Sequence, residues 1–247
     1  MLIYAALFFV AIWAGIQNAL AGGGTFITFP TLLVAGLDAR AANITSCVAL
    51  FPGQITTAIA GRSHVSGTAQ ISFKALVGIS LIGGVVGAAL LLVTPSKFFE
   101  MLVPFLVLFA TGVFAWGSFV RKPTEAHMHL GRRASYVAQF LIAVYGGYFG
   151  GGIGILMLAV LTAAGMAFRF AGATKNVLAA VMNASAVALF AFSRDVNWID
   201  AAVVAAGSII GGQVGAYLLL RINVDLLRAF VVLIGCVLGI GLFVRAY

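Results

Sequence analysis

Ala21-Gly22-Gly23-Gly24-Thr25-Phe26-Ile27-Thr28-Phe29-Pro30 interrupts an apolar chain with three consecutive glycines and no charge nearby. Glycine lacks a Cβ, so such a run lets the backbone leave helical geometry and expose its N–H groups. In hydrocarbon, exposed backbone groups are tolerated only where they are buried in protein or line a cavity. The break therefore needs a structural reason, and it recurs. Phe149-Gly150-Gly151-Gly152-Ile153-Gly154 has the same form 128 positions later.

The setting is a membrane. The 247 residues are 63% hydrophobic and 8% charged, with a mean hydropathy of +1.15; a soluble domain carries about 25% charged residues. The long unbroken apolar runs exclude the alternating pattern of a β-barrel. They predict an all-α polytopic membrane protein. The formal charge of +8 would suggest nucleic acid in a soluble chain. Here the basic residues sit in short connections, where orientation and anionic lipid explain them. Cys47 and Cys236 lie in separate apolar stretches and predict neither a disulfide framework nor a metal site. The first apolar run has no basic stretch before it, so we expect a retained helix and not a cleaved signal peptide.

Ten apolar segments follow, five per half. Leu2–Leu20 is long enough to cross a ~30 Å core or nearly so. Thr25–Ala35 is a second leg, too short to span alone, and a short leg after a glycine break marks a discontinuous or re-entrant helix. Ala41–Ala60, interrupted by Pro52-Gly53, Ala75–Val93 and Phe98–Val120 complete the first half. Ala134–Phe149, Ile153–Gly165, Gly172–Phe192, Trp198–Leu220 and Leu226–Val244 replay it. Gly83-Gly84 and Gly87 recur as Gly211-Gly212 and Gly215; Gly36, Arg40, Thr45 and Gln54 recur as Gly165, Arg169, Thr174 and Asn183. Matches at one near-constant offset indicate duplication. We therefore divide the chain into a first membrane repeat (1–120), a basic linker (121–133) that the positive-inside rule makes cytoplasmic, and a second repeat (134–247). If each break joins the legs of a hairpin, each half crosses an odd number of times and the repeats are inverted. Glu125, His127 and His129 in the linker are read as a solvated loop.

At these residues the sequence resembles the TauE/SafE family, the sulfite and organosulfonate exporters also called toluene-sulfonate uptake permeases. The resemblance rests on the glycine break, the leg with Pro30, then Gly36, Ala41 and Thr45-Ser46, repeated in degenerate form from Gly150 to Thr174. It covers essentially the whole chain. It implies a multi-pass carrier of the bacterial inner membrane that moves small sulfur-containing anions such as sulfite or sulfoacetate, as an exporter. The second copy departs from the first: Leu158 replaces Pro30, and Lys175-Asn176 replace Ser46-Cys47. The site is thus expected to be asymmetric.

The residues suggest the same chemistry. An anion at the membrane midplane needs positive potential without a large buried charge, and helix N-termini supply it. Gly22, Gly23, Gly24 and Thr25, and Gly150, Gly151 and Gly152, each precede a short leg. Asn43, Thr45 and Gln54 in one half, and Thr174, Asn176 and Asn183 in the other, offer hydroxyls and amides; Gln17 and Asn18 can join them. Lys175, inside an apolar run, costs roughly 2.5–3.5 kcal/mol on insertion scales and is the sharpest single candidate, with snorkelling to the interface as its alternative. Arg40 and Arg169 are candidates for the entrance, with topology charges as theirs. No catalytic residue, metal or cofactor is expected: the chain has no HExxH, no GxSxG and no nucleotide loop. The expected partners are a small anion and the bilayer, not nucleic acid, and a homodimer is compatible with the sequence. A channel, or a carrier for another organic anion, is the alternative.

Overall fold

The computed structural model describes residues 2–20, 22–68, 70–116, 131–218 and 224–246. Residues 121–130 of the basic linker, His127 and His129 among them, lie outside the described residues. Among those described the fold is all-helical. The first half contains α1 (Leu2–Leu20), α2 (Thr25–Val34), α3 (Ala39–Gly61), α4 (Phe73–Val93) and α5 (Ser96–Ala115), with a 3₁₀ turn at Arg62–His64. The second contains α6 (Arg132–Tyr148), α7 (Ile153–Ala163), α8 (Phe168–Phe190), α9 (Trp198–Leu218) and α10 (Val224–Ala246). Six of the helices (α1, α3, α4, α5, α8 and α9) are long and apolar enough to cross a membrane. Pro52 lies inside α3 without ending it.

The helices pack across the halves. α1 lies on α9 and α4 on α6; α3 lies on α8 and α9, and α8 on α3 and α4; α5 lies on α10. Exchanging each helix for its counterpart five places on reproduces this set of neighbours. The repeated glycines make the close approaches. A Cβ on Gly83 would sit 3.1 Å from the Phe140 carbonyl oxygen in α6, and one on Gly211 would lie 3.0 Å from the Ile12 Cα in α1. Small residues that let backbones meet are the usual helix contact in lipid.

The direction of α3 against α8 is fixed by two threonines. Thr45, near the start of α3, donates to the Asp195 carbonyl at 3.4 Å and accepts from the Asn197 N–H at 3.1 Å, in the loop beyond the end of α8. Thr174, near the start of α8, accepts from the Ser66 N–H at 3.1 Å and donates to the Ser66 carbonyl at 3.2 Å, in the loop beyond the end of α3. The two counterpart helices therefore run antiparallel.

Candidate functional site

The two glycine breaks meet. Gly22, at φ +79°, and Gly150, at φ +80°, hold the same left-handed conformation, which costs a residue with a Cβ roughly 1–2 kcal/mol. A Cβ on Gly22 would lie 3.2 Å from the Cα of Gly154, and one on Gly150 would lie 3.9 Å from the Thr25 hydroxyl. Each break thus faces the first turn of the other half's short helix. The first-turn amides of Thr25 in α2 and of Ile153 and Gly154 in α7 make no hydrogen bond among the described residues, as the first N–H groups of any helix must unless capped.

A cavity opens at this meeting point. Its walls are Asn18, Gly22, Thr25, Gln54, Thr57, Gly150, Ile153, Gly154, Lys175, Asn176 and Ala179. Its volume is about 30 Å³, room for about two waters. It lies between the C-terminal half of α3 and the N-terminal half of α8, toward the end that carries Arg62, His64 and Lys74. Lys175 is only 6% exposed, and no acidic side chain among the described residues pairs with it. A buried lysine without a counter-ion among the described residues lies where two helix N-termini converge, an arrangement that favours an anion.

Seven of the residues expected from the sequence line this cavity: Asn18, Gly22, Thr25, Gln54, Gly150, Lys175 and Asn176. Gly23 (φ +89°) and Gly152 (φ +75°) shape the breaks behind it. Gly24 packs on α1, where a Cβ would meet the Ala14 carbonyl at 2.8 Å, and Gly151 lies against the Phe149 ring. Gln17 is buried and donates to the Gly22 carbonyl at 3.2 Å, bracing the first break from behind. Asn183 stands one layer out, donating to Gln54 Oε1 at 2.6 Å. The others lie elsewhere. Asn43 donates to the Tyr148 carbonyl at 3.0 Å, and Thr45 and Thr174 hold the loops described above. Arg40 pairs with Asp195 at 3.1 Å and donates to the Thr94 carbonyl at 2.8 Å. The Arg169 side chain lies outside those described.

Thr57, Gly154 and Ala179 were not anticipated as lining, and Ile153 was expected only for the N-terminal amides of its leg. Two of them carried a usable signal. Thr57 follows Gln54 by three residues and Ala179 follows Lys175 by four, so each shares its neighbour's helix face. Gly154 is the last glycine of the second break, and its lack of a Cβ lets Gly22 approach.

An all-helical bundle with six helices long and apolar enough to cross a membrane, and two broken helices meeting at a polar-walled cavity, has the architecture of a multi-pass membrane transporter. Similar proteins carry the same description. The "Probable membrane transporter protein YfcA" of Escherichia coli K12 is 27% identical over 241 residues, covering 96% of this chain and 88% of the relative. A "Probable membrane transporter protein ORF9" of a Sinorhizobium species is 29% identical over 246 residues, 96% and 91% of the two chains. A "Probable membrane transporter protein" of Haemophilus influenzae is 30% identical over 236 residues, 93% and 90%. The profile of the family described as "Sulfite exporter TauE/SafE" matches residues 7–242. The chain belongs to that family, as a multi-pass protein of the inner membrane.

Proposed function

We propose that this transporter carries small sulfur-containing oxyanions, sulfite or short organosulfonates, outward through the cavity between the two helix breaks. The observation that carries the reading is Lys175: buried, unpaired by any described acid, and facing the unbonded amides of Thr25, Ile153 and Gly154. A cation costs several kcal/mol in such a place unless a ligand offsets it, and an anion is that ligand. The antiparallel course of α3 and α8, with counterpart connections at opposite ends of the bundle, supports inverted repeats. Two inverted halves rocking about a shared site provide alternating access. The cavity is displaced toward the end with Arg62 and Lys74, which the positive-inside rule makes cytoplasmic; an exporter loads from that side.

Loading by alternating access requires the walls of the cavity to move. Expulsion needs no coupling ion. Moving one negative charge outward across 100 mV is favourable by about 2.3 kcal/mol. The test is uptake of labelled sulfite and ethanesulfonate into proteoliposomes. We expect saturable transport with counterflow, driven by imposed voltage, and a loss of at least tenfold in Lys175→Met. Flux without counterflow identifies a channel; indifference to voltage rules out potential-driven export; transport unaffected by Lys175→Met removes the cavity as the site.

A further inference from the structure

Two of the amides that line the cavity are tethered by their oxygen ends. Asn18 Oδ1 accepts from the Gly24 N–H at 3.4 Å. A backbone N–H can only donate, so this contact fixes the oxygen inward and leaves the Asn18 NH₂ for the cavity. Gln54 Oε1 accepts from Asn183 Nδ2 at 2.6 Å. An amide pair can bond in either sense, and a third residue decides it. The Cys47 thiol lies 3.9 Å from Asn183 Oδ1. Sulfur is a poor acceptor and a thiol has a proton to give, so Cys47 takes the oxygen of Asn183, Asn183 turns its NH₂ to Gln54, and Gln54 turns its own NH₂ to the cavity. Asn183 is 4% exposed and packs behind Gln54. Gln54 and Asn183 are also counterparts in the duplication, so the two copies of one position have become an inner residue and its brace.

Other groups in the wall add donors. The Lys175 ammonium has only protons to offer, as do the first-turn amides of Thr25, Ile153 and Gly154. The Thr57 hydroxyl donates to the Gly53 carbonyl at 3.0 Å, so only its oxygen is left for the cavity, an acceptor among these donors. On the reading that this cavity is the transport site, we infer that Asn183 is a positioning residue that turns Gln54 into a fixed donor. The donors of the cavity, with the Lys175 ammonium among them, thereby favour oxyanions whose other groups are acceptors or apolar over ligands that carry an ammonium of their own. An amino-substituted sulfonate would bring an ammonium against Lys175 and the tethered NH₂ groups. A burial-for-burial mismatch of one such group is large enough to be measured as a ratio.

The probes are ethanesulfonate and its near-size-matched analogue 2-aminoethanesulfonate, assayed as initial uptake into proteoliposomes of the full chain. Wild type should favour ethanesulfonate by at least about tenfold in Vmax/KM. Asn183→Leu frees Gln54 to rotate; it should raise KM for ethanesulfonate several-fold with little change in Vmax and shrink the ratio toward unity. Asn183→Ser, which keeps a hydroxyl donor for Gln54 Oε1, should restore the ratio in part. Gln54→Leu removes the donor with Asn183 intact and should shrink the ratio as well, so the inference stays testable if Asn183→Leu does not fold. A wild-type ratio near unity, or an undiminished ratio in both leucine variants, overturns it. Lys175→Met separates the levels: if it abolishes uptake of ethanesulfonate while the leucine variants keep the ratio, the site stands and the positioning role falls. If it leaves uptake unchanged, the site itself falls.

Discussion

Thr45 in α3 and Thr174 in α8 do the same work, while the residues one step further on do opposite work. Each threonine gives and takes a hydrogen bond with the backbone of the loop beyond the other half's helix. At the next position Ser46 bonds Thr28 inside its own half, whereas Lys175 faces the cavity. The duplication has thus kept what fixes the scaffold and changed what sets the charge. Antiparallel counterparts need the same anchor twice, once at each end. The cavity needs one cation, and a second like charge nearby would repel the first.

The largest effect should come from the shared feature. Thr45→Val and Thr174→Val keep the shape and each remove two part-buried hydrogen bonds to a loop backbone N–H and carbonyl. At about 0.5–1.5 kcal/mol per lost hydrogen bond, each should lower stability by roughly 1–3 kcal/mol, read as a drop in Tm of the detergent-purified protein. Similar losses from both would support a duplicated anchor. A loss from one alone would break the equivalence of α3 and α8.

Both threonines were candidates for the anion, and this shows how far the sequence was legible. A hydroxyl in an apolar run must find a partner, but the run does not say which. The partners of Thr45 and Thr174 lie 150–152 and 108 residues away in sequence, on loops of the opposite half. Arg40 is a like case: its partner Asp195 is 155 residues off. The helices were easier, because length, hydropathy and glycine punctuation are local. Ten segments were expected, and the ten described helices match them to within a few residues at most ends. The last first-half segment was drawn to Val120, whereas the helix is described only to Ala115. Gly22 and Gly150 were legible as a pair because the glycine runs recur at one offset. That they would face each other was an expectation from the inverted arrangement of the halves, which neither stretch carries alone.

The glycines sharpen the comparison next. Gly22 and Gly150 share their left-handed φ with a second matched pair, Gly36 (φ +103°) and Gly165 (φ +86°). Alanine at any of the four should cost about 1–2 kcal/mol of backbone strain. Only the first pair lines the cavity. Gly36→Ala, whose Cβ would enter open space, should lower Tm and leave the KM for ethanesulfonate unchanged. Gly22→Ala should lower Tm and raise KM, because its Cβ would press on Gly154 at the cavity wall. Equal KM values for the two variants would detach the breaks from binding.

The smallest effect should come from the charge that α3 does possess. Arg40 and Asp195 are 20% and 25% exposed in their side chains, and a partly solvated pair contributes on the order of 1 kcal/mol or less. Asp195→Asn keeps a group that can accept from the Arg40 guanidinium, and the Arg40 bond to the Thr94 carbonyl remains. It should therefore lower Tm by only a degree or two at low salt, and by less as ionic strength rises. Lys175 has no such partner to lose. Raising a salt whose anion is too large for the cavity should leave the stability contribution of its buried charge nearly unchanged, since ions do not screen a site they cannot enter. A Lys175→Met variant more stable than wild type by an amount indifferent to salt would then measure the cost of holding an unpaired cation ready. A salt-dependent difference would mean that the ammonium reaches solvent, and that α3 and α8 differ in their charges without differing in their burial.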